Sequence, residues 1–411
     1  MKTNDGLLLP PGAWRVVALL WPVALLNYLD RQMLATMKLS MQADIAALQS
    51  AETFGQLMAI FMWVYAVCSP LGGVIADRVN RKWLIVASLG VWSAVTLLMG
   101  RAHDFPHLYW LRAAMGVSEA FYMPAGLALI ADFHRGATRS LAIGVHMSGI
   151  YMGQALGGVG GWIAQEVSWR AAFSSCGWIG VGFAFVLAVL LRERPADAPV
   201  VSAGSSTRAA PTGVHWVGFA LLLVCFTLPS LPGWAVKNWL PTLLQDRFAL
   251  DQKTSGLWAT TSTALAGFCG VLLGGKLSDV WSRRSVRGRT WVSALGLALL
   301  VPALAGMGFA PSFALAVICA AAYGLGWGLF DTNNMPILCQ FVPPRLRATG
   351  YGVLNFAGIA AGAWLTPLLG KLKDHGIPLA QGFAISAAPA LLAAIIMLSL
   401  RPKVRDCGAA A

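Results

Sequence analysis

The chain has 411 residues, of which 57% are hydrophobic and only 11% charged, and its mean hydropathy is +0.66. A soluble domain carries about 25% charged residues, so this composition excludes an ordinary soluble fold and points to helices in a bilayer. The net charge of +13 raises nucleic acid as a partner, but the cations gather in turns at one end of the apolar runs, such as Arg78, Arg81 and Lys82 or Arg283 and Arg284. That is the bias of the positive-inside rule; it orients the chain, and no nucleic-acid partner is expected.

Twelve apolar segments can be read, near residues 14–37, 54–76, 83–101, 106–131, 140–165, 169–191, 214–244, 254–277, 291–310, 312–340, 348–370 and 378–400. At 1.5 Å rise per residue, about 20 residues cross a hydrocarbon core of about 30 Å. The expected fold is therefore an all-α integral membrane protein with twelve transmembrane helices in two six-helix halves. Residues 1–191 form the N-terminal bundle, 192–213 a cytoplasmic linker rich in Ala, Ser, Pro and Gly, and 214–411 the C-terminal bundle with a short cytoplasmic tail. The charge bias places both termini in the cytoplasm, with the chain in the cell inner membrane. No small-residue cleavage site follows the first apolar run, so it is read as a retained helix. The seven cysteines form no CxxC pair, and the six histidines form no HExxH motif; neither a disulfide framework, a metal site nor a cofactor is expected.

The first segment carries Asn27-Tyr28-Leu29-Asp30-Arg31, an acid and a base side by side past the middle of an apolar run. A charge at a helix centre costs roughly 2.5 to 3.5 kcal/mol, and such residues face a bundle interior or a water-filled cavity. The pair is read as a functional site; an ion pair that only fixes packing is the competing account. The second segment ends in Gly72-Gly73-Val74-Ile75-Ala76-Asp77-Arg78, followed by Arg81 and Lys82. The pattern returns at Gly274-Gly275-Lys276-Leu277-Ser278-Asp279 with Arg283-Arg284, an internal repeat that divides the chain in two. Gly73, Asp77, Arg78, Arg81, Asp279 and Arg283 are the expected conformational gating residues. Gly270 to Lys276 also fits most of a phosphate-binding loop, but Leu277 stands where Ser or Thr would hold magnesium and no strand precedes it.

The fourth segment places Arg112 and Glu119 seven residues apart, nearly on one helix face and about 10 Å apart along the axis. The fifth is dense in glycine, which suits close helix contact, and holds His146. In the second half, Lys237 precedes Trp239, and Asp331-Thr332-Asn333-Asn334-Met335-Pro336 interrupts the tenth segment. Asparagines offer donors and acceptors to a hydroxylated substrate, and Lys237 either meets an anionic group or extends to the interface.

The repeated turn resembles the signature of the major facilitator superfamily over nearly the whole chain. Asn-Tyr-Leu-Asp-Arg in the first segment, Arg112 with Glu119, and Trp239-Leu240-Pro241-Thr242 resemble the anion:cation symporter branch, which includes sugar-acid and sialic-acid carriers; the first two features also resemble bacterial relatives of the spinster lipid transporters. The resemblance implies a secondary active transporter, a functional monomer whose partners are a small-molecule substrate, protons and the bilayer. It implies that Asp30 and Glu119 handle protons and that Arg31 and Arg112 bind substrate and balance charge; from their own chemistry Tyr28, Lys237, Asn333 and Asn334 are expected as further binding residues. A sugar acid taken up with protons is the leading expectation; a lysolipid or other amphiphile, a neutral sugar and a drug are the alternatives. An integral membrane enzyme would need a nucleophile and base or metal ligands, and none are grouped in the sequence.

Overall fold

The computed structural model describes residues 12–76, 78–134, 136–193, 213–343 and 346–401. Asp77 and the 194–212 part of the linker lie outside the described residues, as do 402–411 of the tail. Among the described residues the regular elements are all helical, and ten helical stretches are long and apolar enough to cross a membrane. Two segments read as spans fall outside those ten. In α1 (Ala13–Thr36) the apolar run is diluted by Arg15, Asn27, Asp30 and Arg31, and the fifth segment, split into α7 (Gly136–Leu156) and α8 (Gly158–Glu166), is diluted by Arg139, His146, Gln154 and its glycines.

The described residues group into two compact units, Met1–Val200 together with Asp251–Thr261, and Val201–Leu250 together with Ser262–Ala411. In the first unit α1 is followed by short α2 (Lys38–Asp44), a 3-10 turn at Ala46–Gln49, α3 (Ala51–Ala76), α4 (Arg81–Met99), the broken pair α5 (Phe105–Glu119) and α6 (Tyr122–Phe133), then α7, α8 and α9 (Trp169–Leu190). Helix starts follow local chemistry: Asn80, Asp104 and Ser168 each accept a hydrogen bond from the third residue ahead at the head of α4, α5 and α9. Pro124 cannot donate to the carbonyl of Ala120, so the fourth segment breaks just after Glu119.

Small residues set the helix spacing. A Cβ on Gly149 would stand 2.8 Å from the Trp21 carbonyl of α1, and one on Gly153 would collide with the Leu25 carbonyl. The glycine-rich fifth segment therefore serves tight packing against α1, as its composition implies. Between α5 and α3 a Cβ on Gly116 would lie 2.8 Å from the Phe61 carbonyl. That close approach brings Phe61 and Tyr65 beside the charged face of α5.

The second unit contains α10 (Trp216–Phe248), α12 (Gly288–Phe309), α13 (Phe313–Asp331), short α14 (Asn334–Leu338), α15 (Arg347–Asp374), α16 (Leu379–Ile385) and α17 (Ala387–Ser399). It also holds residues 262–284 of α11 (Gln252–Arg284), whose first ten residues belong to the first unit. Pro229, Pro232 and Pro241 lie inside α10, and the tenth segment breaks between α13 and α14, three residues before Pro336.

A buried charge cluster as the candidate substrate and proton site

In the first unit, the acid and base of α1 point to different neighbours, because adjacent residues on a helix are about 100° apart. Arg31 turns to α5, where its Nε donates to Glu119 Oε2 at 2.5 Å; the Arg31 side chain is 13% exposed and Glu119 fully buried. Asp30 turns to α4, where Thr96 Oγ1 reaches its Oδ2 at 3.5 Å while also donating to the Trp92 carbonyl at 2.9 Å. Arg112 is 2% exposed; its Nη1 reaches the sulfur of Met115 at 3.2 Å, and it lies within electrostatic reach of Glu119, Arg31 and Asp30. The structure thus brings together all four charged residues singled out in the sequence.

Aromatic rings surround the cations. The Arg31 guanidinium carbon lies 4.9, 5.0 and 4.4 Å from the ring centres of Tyr28, Phe61 and Tyr65. Phe61 also faces Arg112 at 4.8 Å, so one ring serves two guanidinium groups. Such contacts give a desolvated cation roughly 2 kcal/mol. Asn27 and Trp92 stand beside the Glu119 and Asp30 carboxyls as donors, while two guanidinium nitrogens, Arg31 Nη2 and Arg112 Nε, are buried without a hydrogen-bond partner. A buried polar group left this way costs about 1–3 kcal/mol, more if charged, which marks a place for a ligand or water.

In the second unit Lys237 Nζ lies 5.0 Å from the Trp234 ring and 5.9 Å from Trp327, within electrostatic reach of Asp331. The asparagines are placed differently from the sequence expectation. Asn333 Nδ2 donates to Leu329 O at 3.0 Å and Asn334 Nδ2 to Asp331 Oδ1 at 3.1 Å, so both amide donors satisfy the break between α13 and α14. Their Oδ1 atoms remain buried and unpartnered.

The turn residues divide as well. Arg81 pairs with Asp132 of α6, and Glu193 accepts from the Arg81 backbone N–H at 3.0 Å and from Asn80, tying the end of α9 to the head of α4. Arg78 is exposed. In the second copy Asp279 pairs with Arg289 at 3.0 Å, while Arg283 is exposed. Sequence reasoning missed Phe61, Tyr65, Thr96, Asp132 and Arg289. Only Phe61 and Tyr65 leave a trace, four residues apart on one helix face.

A family model described as Major Facilitator Superfamily matches residues 20–367. The chain belongs to the major facilitator superfamily. It is 27% identical to the 3-(3-hydroxy-phenyl)propionate transporter of Escherichia coli (strain K12), covering 95% of each chain. It is 25% identical to the D-galactonate transporter of Escherichia coli O6:H1 over 97% of this chain and 98% of that one. Protein spinster of Drosophila melanogaster is 26% identical over 82% of this chain and 58% of its own. In fold the chain is similar to a bacterial homolog of the human lysosomal transporter Spinster, described as inward-facing and unoccupied, with TM-score 0.72, 19% identity and 95% of each chain covered. The protein is accordingly a multi-pass membrane transporter of this superfamily and not an enzyme.

Proposed function

We propose that this transporter carries out proton-coupled symport of a small hydroxylated organic anion, a sugar acid being the leading example. It would work by alternating access between two six-helix halves of a twelve-span bundle in the inner membrane, with both termini cytoplasmic. The observation that carries the proposal is the Arg31–Glu119 pair with its unfilled neighbours Arg31 Nη2 and Arg112 Nε. With both carboxyls ionised, Asp30, Glu119, Arg31 and Arg112 sum to zero charge. An anion entering this cluster would leave one uncompensated negative charge in a low-dielectric site, where the penalty is several kcal/mol. One proton restores neutrality, so anion and proton strengthen each other's binding by linkage. Guanidinium groups match a carboxylate with two parallel N–H donors, which fits Arg31 and Arg112 to this work.

The relatives support the class: one is named for a hydroxyphenyl propionate and another for a galactonate, both hydroxylated carboxylates. The likeness to spinster proteins keeps an amphiphile as the second reading, favoured by the aromatic shell around Arg31. Thermal-shift measurements against D-galactonate, 3-(3-hydroxyphenyl)propionate and a lysolipid separate the two, since only a bound ligand raises the melting temperature.

Coupling is tested with Glu119→Gln in proteoliposomes. The substitution removes the titrating oxygen, so exchange of labelled substrate across the membrane is retained while accumulation driven by a pH gradient is lost. Asp30→Asn should show a similar loss. Concentrative uptake by Glu119→Gln with a proton gradient as the only driving force would remove Glu119 from the coupling role.

A further inference from the structure

Asp30 of α1 meets two polar side chains of α4, Trp92 and Thr96, which lie four residues apart on one face of that helix. Trp92 stands beside the carboxyl with its indole N–H, and Thr96 Oγ1 lies 3.5 Å from Asp30 Oδ2. The two differ in what they offer. An indole nitrogen only donates, whereas a hydroxyl has one proton and two lone pairs. The Thr96 proton is already committed, because Oγ1 donates to the Trp92 carbonyl at 2.9 Å. Towards Asp30 the hydroxyl is left with an acceptor. The indole therefore suits a carboxylate, and the hydroxyl oxygen suits a carboxylic acid.

Both side chains are fixed from behind. Trp92 and Thr96 are fully buried. The Tyr122 ring of α6 stands edge-on to the indole with ring centres 5.6 Å apart, and its hydroxyl donates to the Leu20 carbonyl of α1 at 2.9 Å. Close contact with α9 holds α4 itself: a Cβ on Gly177 would stand 2.7 Å from the Leu97 backbone nitrogen, and one on Gly180 would collide with Ser93 Oγ. The other titratable groups within electrostatic reach of Asp30 are Glu119 and Arg112 of α5 and Cys176 of α9. Arg31, next to it on α1, is turned to Glu119, while Tyr122 and His146 of α7 approach α1 at Leu20, ten residues away.

We propose that Trp92 and Thr96 are the positioning residues of the Asp30 proton site, the indole N–H holding the carboxylate and the Thr96 oxygen accepting from the carboxylic acid. The inference deepens the proton-coupling reading and rests on it in one respect, that Asp30 titrates. Protonation adds one proton at Oδ2, directed to Thr96 Oγ1, and the hydroxyl proton stays on the Trp92 carbonyl. Neither side chain has to change rotamer between the two states. Their effects carry opposite sign: a hydrogen bond to the charged form favours ionisation, and one to the neutral form opposes it.

The test reads the carboxyl directly and uses no substrate. Purified protein is treated with N,N′-dicyclohexylcarbodiimide over a series of pH values. The reagent adds to a carboxyl in its protonated form, and peptide mass mapping separates modified Asp30 from modified Glu119. Trp92→Phe keeps an aromatic ring and loses the N–H, so the reactive form of Asp30 should persist about one pH unit higher, a change of about ten-fold in the protonation equilibrium. Thr96→Val keeps the shape and loses the oxygen, so the reactive form should retreat to lower pH by about three-fold in the same equilibrium. Thr96→Ser should restore the original profile, and Glu119 should move less than Asp30 in every variant. Melting curves establish which variants fold; if Trp92→Phe does not, Thr96→Val and Thr96→Ser decide. An Asp30 profile unmoved in the folded variants, or moved the same way by Trp92→Phe and Thr96→Val, would overturn the inference, as would a Thr96→Ser profile that follows Thr96→Val. If Asp30 of the unsubstituted protein is unmodified at every pH, the failure lies in its proton-handling role, and the positioning role falls with it.

Discussion

Arg112 is a cation at 2% exposure with one guanidinium nitrogen unfilled and a thioether against another. A lysine there would keep the charge but not the planar fork. Arg112→Lys is therefore expected to weaken binding of an anionic substrate by about ten-fold or more, because charge-assisted hydrogen bonds contribute about 1.5–3 kcal/mol each. Calorimetry on the purified variant measures this directly; unchanged affinity would assign Arg112 to the balance of Asp30 and Glu119 alone. The four charges of this cluster were legible in the sequence because an ionised residue in an apolar run has few places to go. Phe61 and Tyr65 were not, since an aromatic residue in an apolar helix gives no contrast against its neighbours. That both adjacent asparagines turn their amide donors to a helix break was equally hidden, because it depends on the broken turn between α13 and α14.

The scale of the helix brings out a difference between the paired glycines of the repeated turn. A Cβ on Gly72 would lie 2.6 Å from the Ala120 carbonyl, at the break that follows Glu119, whereas nothing lies within 4 Å of one on Gly73. Gly72→Ala should push α3 off the α5–α6 junction and cost about 1–3 kcal/mol, visible as a lower melting temperature in detergent. Gly73→Ala should leave stability unchanged or raise it by up to about 1 kcal/mol through helix propensity. Slowed transport in a Gly73→Ala protein of undiminished stability would then locate the gating role at that position. The repeat announced both glycines alike, and only the packing of α3 separates spacing from freedom. In the second copy Asp279 reaches Arg289, ten residues ahead, across the turn between α11 and α12.

For the whole molecule, the distribution of Lys and Arg predicts an orientation that can be checked from surface positions. His103 precedes α5, and Arg284 ends α11; both are exposed. With both termini cytoplasmic, a cysteine at 103 should react with a membrane-impermeant reagent in intact cells, and one at 284 only after permeabilisation. The opposite pattern would invert the orientation and with it the direction assigned to the proton gradient. Helical class and the internal repeat were legible at this scale, because apolar length and a recurring turn are properties of the chain itself. The grouping of Asp251–Thr261 with the first unit was not, since no local pattern marks which side of a helix end will be claimed by a distant broken segment.

The three prolines of α10 have a mechanical consequence. A 33-residue helix extends for about 50 Å, well beyond a hydrocarbon core of about 30 Å, so as a straight rod it would carry any displacement from one end to the other undiminished. Prolines at 229, 232 and 241 withdraw the usual helical donors from the carbonyls of Cys225, Leu228 and Lys237, and each lost rung is a point of low bending stiffness. Two joints close together and a third beside the lysine make α10 an articulated lever. The Lys237 carbonyl is one of the three left without its helical donor, so bending compliance falls at the residue that carries the cation of this helix.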